Sequence, residues 1–450
     1  MKKIIATLLC AVLLGATLSG CSLFEKKKPV TLTMWHNFGG DIQKGMDVLI
    51  DEFNGTVGQK QGIIINVTAI TSSAELQDGL NMILNGDPGA PAMPDIFTSY
   101  PKTAILFQQK GLLANLDEYF TAKERSEYIP AFMDEGRFGD GGLYVFPFAK
   151  STEVTFINST LFEGFSAATG VTEACFASFE GIADAAQKYY EWTDAETPDV
   201  ADDGKQFYTA DSWFNLAQAG MLQQGTSLFD GEALSLDNAA YRRIWETVYA
   251  PSVEGGFAVY DGFSSDLSKT GDIICSTGST AGILFYSDKV TYPDNTVIPV
   301  EYSVLPYPVF EGGDKYAIQR GNGLCVAKAD KVREEAAATF LKWFTAAEQN
   351  MRFVGATGYL PVTGEAFETQ LPEYIKTVED SRIKMMLETA TEMYDGYGFF
   401  VAPTFEAFDG ISKQYESGYK ARLSSDREGI AAGDAVSSDS ALTEFIASQK

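Results

Sequence analysis

The sequence predicts an α/β protein built as two lobes, and three observations carry this. The chain has 450 residues, whereas a domain usually holds about 100–200, so two sizeable cores suit it better than one. Hydrophobic residues make up 45% and aromatic residues 13%, enough to fill both. From residue 30 onward, short extended apolar runs alternate with segments of helical period, the mark of an open α/β sheet. Charge limits the partners: 34 Lys+Arg stand against 61 Asp+Glu, a net −27. An acidic excess of that size repels phosphate backbones and argues against nucleic acid. The single histidine, His36, rules out zinc sites made of several histidines and leaves one residue for any Ser-His-Asp arrangement.

In chain order, Lys2 and Lys3 precede Ile4 to Leu18, in which twelve of fifteen residues are apolar. That run is too short for a bilayer core of about 30 Å, which needs about 20 residues, and it matches the apolar region of a secretory signal. Leu18-Ser19-Gly20-Cys21 resembles the lipobox of bacterial lipoproteins. The resemblance implies removal of residues 1–20 and a diacylglyceryl thioether on Cys21. Residues 21–29, with Lys26-Lys27-Lys28, then form a lipidated tether whose charge suits an anionic lipid surface. The expected placement is the extracytoplasmic face of the cell membrane. Three cysteines remain, Cys175, Cys275 and Cys325. They have no CxxC spacing, and three buried thiols are expected rather than a disulfide plus a free thiol, with no metal held.

Val30 to Trp35 alternates as a strand and breaks at Asn37-Phe38-Gly39-Gly40. Asp41 to Phe53 is a helix with Ile42, Met46, Leu49, Ile50 and Phe53 on one face. Gly62–Ile70 and Asp95–Phe97 are further strands, with a helix at Ser73–Leu84 between them. Ligands of such sheets sit beyond the carboxyl ends of strands, which is where Trp35-His36-Asn37 and Thr98-Ser99-Tyr100 stand. Beyond Gly139, Leu143–Phe148 and Thr152–Asn158 are extended, and helices are expected at Phe179–Trp192 and Ser212–Gln224. The acidic loop 193–204 lacks the alternating oxygens and terminal Glu of a calcium loop. Val300–Pro306 and Gly323–Ala327 are strands, and Lys331–Phe344 is a helix whose apolar face makes Trp343 a core residue.

No GxGxxG opens a helix, no GxxxxGK[ST] occurs, and Gly278-Ser279-Thr280-Ala281-Gly282 has Thr where a nucleophile elbow has Ser. Four segments in order instead resemble the family 1 solute-binding proteins of ABC importers, the maltose-binding-protein-like group. They are Thr31-Leu32-Thr33-Met34-Trp35-His36; Met93-Pro94-Asp95-Ile96-Phe97 with Gly111-Leu112-Leu113-Ala114-Asn115-Leu116-Asp117; Gly142-Leu143-Tyr144-Val145-Phe146-Pro147 through Phe156-Ile157-Asn158-Ser159-Thr160-Leu161-Phe162; and Thr357-Gly358-Tyr359-Leu360-Pro361-Val362. The likeness spans roughly residues 30–370. Phe156-Ile157-Asn158 departs from the family's pattern, and the tail beyond about 375 aligns with nothing. The resemblance implies a periplasmic-binding-protein-like fold with hinge-crossing strands and an interlobe ligand cleft. It places lobe 1 at 30–149 plus 300–328 and lobe 2 at 150–299 plus 329–450. It also implies a permease and a separate ATPase as partners of a monomer that needs no cofactor.

A cleft for a sugar needs rings for the apolar faces of a pyranose and side-chain donors and acceptors for its hydroxyl edges. The candidate rings are Trp35, Tyr100, Trp213, Tyr286 and Tyr359. The candidate polar partners are His36, Asn37, Ser99, Ser151, Glu153 and Asn322. A neutral mono- or oligosaccharide is the expected ligand. The alternatives are an anionic sugar, such as a sugar phosphate or uronic sugar, paired with Lys150 and Arg320, and a secreted glycoside hydrolase with a carboxylate pair.

Overall fold

The computed structural model describes residues 29–70, 72–355 and 357–450. The leader, the lipidation of Cys21 and the tether up to residue 28 lie outside the described residues.

The strands that matter here are, in chain order, β1 (Val30–His36), β2 (Ile63–Ala69), β3 (Ile96–Ser99), β4 (Phe146–Pro147), β5 (Glu153–Asn158) and β6 (Tyr208–Ala210). They continue as β7 (Cys275–Ser279), β8 (Tyr302–Leu305), β9 (Tyr316–Ile318), β10 (Gly323–Val326) and β11 (Gly398–Phe400). The helices that matter here are α1 (Gly40–Gly55), α2 (Ser73–Asn85), α3 (Pro101–Gln109), α4 (Phe179–Asp194), α5 (Trp213–Gln223) and α6 (Ala239–Val253). Beyond these come α7 (Lys331–Phe344), α8 (Ala347–Gly355), α9 (Ser381–Gly396), α10 (Phe408–Ala431) and α11 (Ser438–Ser448).

One lobe is organised on a five-stranded sheet of order β2-β1-β3-β10-β4, in which β1 runs parallel to β2 and β3 while β10 is antiparallel to β3 and β4. The alternation of β1 sends Leu32 and Met34 into the core, where they meet the buried face of α1: Ile42, Met46, Leu49, Ile50 and Phe53. Asp95, just before β3, accepts from the Thr33 N–H at 2.8 Å and pairs with Arg333 of α7 at 2.6 Å. Asp330 caps that helix through the Val332 and Arg333 N–H groups. The aspartate of the Pro-Asp-Ile-Phe run thus ties helix to sheet. Trp343 is half-buried against Phe53, with ring centroids 5.4 Å apart.

The other lobe has a four-stranded sheet of order β8-β5-β7-β6, with β5 antiparallel to both β8 and β7. Helix α9 packs on β8, while α10 and α11 pack on α6. Cys175, Cys275 and Cys325 are free thiols, the latter two buried and Cys175 partly so. In the acidic loop, Asp194 accepts from the Asp203 N–H and Thr197 donates to Asp203. No helix among the described residues is long and apolar enough to cross a membrane.

The lobe boundaries differ from the expected ones in two places. Strand β8 pairs with β5, so residues 300–318 belong to the second lobe, and the chain returns at Gln319–Asn322, not near Pro299–Val300. Helix α7 packs on β1, α1 and β10, and α8 packs on α1. Residues 329–375 therefore stay with the first lobe, and the last crossing falls between Ile375 and Ser381. The reason is physical. Strand and helix periodicity mark which residues are buried, and neither says which sheet receives them.

The first two crossings meet as a short antiparallel bridge, Ser151 with Arg320, and Lys150 bridges in the same way to Leu360 of the first lobe. Their backbone hydrogen bonds are 2.9 and 2.7 Å for the first pair and 3.2 and 2.6 Å for the second. Gly321 sits at φ +105, and a Cβ there would lie 2.3 Å from the Ala149 carbonyl oxygen. A side chain would have to break the hinge backbone apart. Gly321→Ala is expected to cost more than about 1 kcal/mol, read as a lower denaturant midpoint with an unchanged slope.

Candidate ligand-binding cleft

Two adjoining cavities open between the lobes, of about 310 Å³ and about 260 Å³, and both are bordered by Tyr100 and Lys102. The first has Glu135 on its lobe 1 side, Asn215, Phe214 and Phe408 on its lobe 2 side, and Gln319–Gly321 of the hinge as its floor. The second has Asn37, Ser99 and Asn322 on one side and Asp409 and Lys413 of α10 on the other.

Strand ends place the first group. His36 closes β1, so Asn37 lies beyond its carboxyl end, beside Thr98 and Ser99 at the end of β3. Thr98 donates to Asn37 Oδ1 at 3.2 Å, and the Asn322 amide donates to the same oxygen at 3.2 Å. Asn322 Oδ1 is buried and has no partner among the described residues, while Asn322 itself borders the cavity. Tyr100 stands at the N-cap position of α3, borders the cavity and is 38% exposed.

The charged residues of the cleft come in compensated sets. Lys150 pairs with Glu135, and both side chains are nearly inaccessible, 4% and 7% exposed. Gln319 donates to the same Glu135 oxygen, Oε2. Arg320 donates to Glu153 at 2.9 Å, and Asn215 donates to that oxygen at 2.7 Å. Burial pushes the Glu153 carboxyl above its usual range, against the pull of Arg320 and Asn215. Lys102 of lobe 1 pairs across the cleft with Asp409 of lobe 2, which also receives Lys413 at 2.8 Å. Burial works to raise the Asp409 pKa, yet Lys102 and Lys413 hold it below the ordinary value.

The eleven expected ligand residues divide three ways. Asn37, Ser99, Tyr100 and Asn322 border the cleft. Ser151, Glu153 and Tyr359 lie behind it: Ser151 in the hinge bridge, Glu153 under Arg320, and Tyr359 packed on Phe38 and Phe353. Of the remaining four, His36, Trp213 and Tyr286 are packed inside the lobes and Trp35 is half-buried. Trp213 is enclosed by Tyr208, Phe257 and Tyr419, and the next two residues of its helix, Phe214 and Asn215, reach the cavity instead. Tyr286 shares its hydroxyl with Ser264 and Ser276 in the second lobe's core. Trp35 lies over Gly79 of α2. His36 is fully buried, accepting from the Phe38 N–H at 3.2 Å. A large ring near a strand end or helix start is drawn to whichever apolar volume is nearest, and here that volume is core.

Lys102, Glu135, Asn215, Gln319, Phe408, Asp409 and Lys413 were not anticipated. Their sequence neighbourhoods carry no signal, and the last three come from the tail that matches no motif. Lys150 and Arg320, expected as partners for an anion, are both bound to internal carboxylates. Among the described residues no cluster of three His, Cys, Asp or Glu is arranged to hold a metal.

Residues 49–379 match the family model described as bacterial extracellular solute-binding protein. No curated protein matches the sequence. Among solved structures, the cyclic alpha-maltosyl-1,6-maltose binding protein from Arthrobacter globiformis is similar at 16% identity and a TM-score of 0.70, covering 94% of this chain and 98% of its own. An ABC substrate-binding protein from Listeria monocytogenes in complex with cycloalternan reaches 19% identity and a TM-score of 0.70, with 93% and 97% covered. UgpB from Mycobacterium tuberculosis in complex with glycerophosphocholine reaches 17% and 0.67, with 94% and 98% covered. These likenesses show the two-lobe fold.

Two outcomes follow from the buried charges. Lys150→Met leaves Glu135 buried without its cation and is expected to cost about 3–5 kcal/mol in denaturant unfolding, most of it regained in the double variant Glu135→Leu/Lys150→Met. Burial lowers the His36 pKa, with Asp47 opposing weakly. Its stabilising contribution is therefore present above the unfolded value of about 6.5 and is lost as pH falls below it. His36→Gln should flatten the drop in Tm between pH 7 and 5 relative to the parent.

Proposed function

The chain belongs to the bacterial extracellular solute-binding proteins, and from that premise we propose that it captures a neutral mono- or oligosaccharide between its lobes for an ABC importer. The observation that carries the choice of ligand is the pairing of an exposed ring with an unpartnered buried acceptor. Tyr100 offers an apolar face, and beside it Asn322 Oδ1 lacks a hydrogen bond. A buried oxygen without a donor costs about 1–3 kcal/mol, and a ligand hydroxyl relieves that cost while the pyranose C–H face covers the ring. Each cleft cation already has a carboxylate, Lys102 and Lys413 with Asp409, Lys150 with Glu135, and Arg320 with Glu153. A neutral polyhydroxylated solute fits such a site better than an anion. The relatives named above bind cyclic oligosaccharides in two cases and glycerophosphocholine, a zwitterion with one phosphodiester, in the third; an anionic sugar stays the alternative, since Lys102 and Lys413 share one carboxylate.

The ligand favours the closed arrangement through contacts with both lobes. Closure buries it and presents one combined surface to a membrane permease, which a separate ATPase drives. The lipid on Cys21 keeps the protein at the extracytoplasmic face, within reach of that permease.

Thermal unfolding against neutral and phosphorylated sugars tests the reading. A sugar at 100 times its Kd adds about 2.7 kcal/mol, a shift of a few degrees at this size. A selective shift with the sugar recovered intact supports it, cleavage of the sugar points to the hydrolase, and no shift across the panel overturns it. Tyr100→Ala should weaken binding of the responding sugar about tenfold, near 1.4 kcal/mol, with Tm of the free protein unchanged.

A further inference from the structure

Glu135 and Glu153 each give one carboxylate oxygen to two donors, and of the two only Glu135 borders a cleft cavity. Oε2 receives both Lys150 and Gln319. Oε1 receives nothing among the described residues, although the side chain is only 7% exposed and borders the larger cleft cavity. Lys150 and Gln319 belong to two different hinge crossings, flanking the Ser151–Arg320 bridge. They hold the carboxylate through one oxygen and leave Oε1 without a donor among the described residues. Across the same floor, Arg320 spends one nitrogen on Glu153 and has no partner for its other N–H groups among the described residues.

We propose that Glu135 is the specificity-determining residue of the cleft, accepting a ligand hydroxyl on Oε1 and thereby selecting neutral polyhydroxylated ligands over phosphorylated or uronic ones. This rests on the cleft being the ligand site. A hydroxyl has the hydrogen that Oε1 lacks, and a bond to a charged acceptor is stronger than a neutral one. Lys150 already balances the carboxylate, so a neutral partner adds no buried charge. An anionic group in the same place has no hydrogen to give and meets a carboxylate oxygen at short range in a partly desolvated site. Because the two groups that hold Glu135 come from the hinge, a ligand bound there also braces the crossings in the closed arrangement.

The test is a comparison of Kd values by calorimetry on the full chain, the parent against Glu135→Gln. The probes are maltose, maltotriose and raffinose on one side, and glucose 6-phosphate, glucuronate and glycerol 3-phosphate on the other. In Glu135→Gln, Lys150 and Gln319 both donate, so the amide turns its oxygen to them and its NH2 to the cavity. The acceptor is lost without loss of shape. Neutral binding is expected to weaken at least tenfold, and the gap to the anionic probes to narrow. Should Lys150 without its counter-charge unfold that variant, Glu135→Leu/Lys150→Met removes the acceptor and keeps the balance, with the same expected loss. Unchanged neutral binding in a folded variant overturns the proposal and leaves the cleft reading standing. So does a parent that prefers the anionic probes. A parent that binds none of the six overturns both.

Discussion

The hinge is the constraint on which the rest of this structure depends. Two lobes with separate sheets are joined through a few residues; a backbone bridge between Ser151 and Arg320 ties two of the crossings together, and one from Lys150 to Leu360 fastens them to the first lobe. Those bridges leave little room. Gly321 is placed against the Ala149 carbonyl in a conformation that suits glycine, and the flanking side chains are committed to ion pairs with Glu135 and Glu153. A buried pair of this kind is a weak source of net stability, because desolvation offsets most of the attraction. Its value here is positional: it fixes where the floor of the cleft lies and which polar atoms remain free to meet a ligand.

Charge compensation within the cleft follows from the same arrangement. A chain with 61 acidic and 34 basic residues has carboxylates within reach of almost any cation, and each of the four cleft cations has found one. What is left over for a ligand is a set of unpaired hydrogen-bonding atoms, Asn322 Oδ1 and Glu135 Oε1 among them, together with the exposed ring of Tyr100. The pair between Lys102 and Asp409 adds a contact from lobe to lobe that does not depend on ligand. Its strength falls with salt, since both side chains are about one-third exposed.

Much of the architecture was legible in the residues. The burial pattern of α1 and the limits of α7 at Lys331 and Phe344 follow from apolar spacing and from caps such as Asp330, while β1 and β3 run one and two residues beyond their expected ends, to His36 and Ser99. Asn37, Ser99 and Tyr100 border the cleft because the open α/β sheet brings the carboxyl ends of β1 and β3 to it, whereas Asn322 stands just before the amino end of the antiparallel β10. The rings were less tractable. Trp213 and Tyr286 have the chemistry of a sugar platform, yet each fills a core, and the next two residues of the Trp213 helix, Phe214 and Asn215, supply the wall.

The sequence by itself determined the α/β class, the period and placement of most elements, the acidic balance and the resemblance to solute-binding proteins, because each is written in local spacing, caps and composition. Only the tertiary structure decided which lobe owns residues 300–318 and 329–375, that α10 brings Phe408, Asp409 and Lys413 to the cleft, and that Lys150 and Arg320 are bound to carboxylates of this chain. Those outcomes depend on pairings between residues up to about 300 positions apart, such as Lys102 with Asp409. Such pairings are set by how two sheets and their helices share space, and no local pattern carries them.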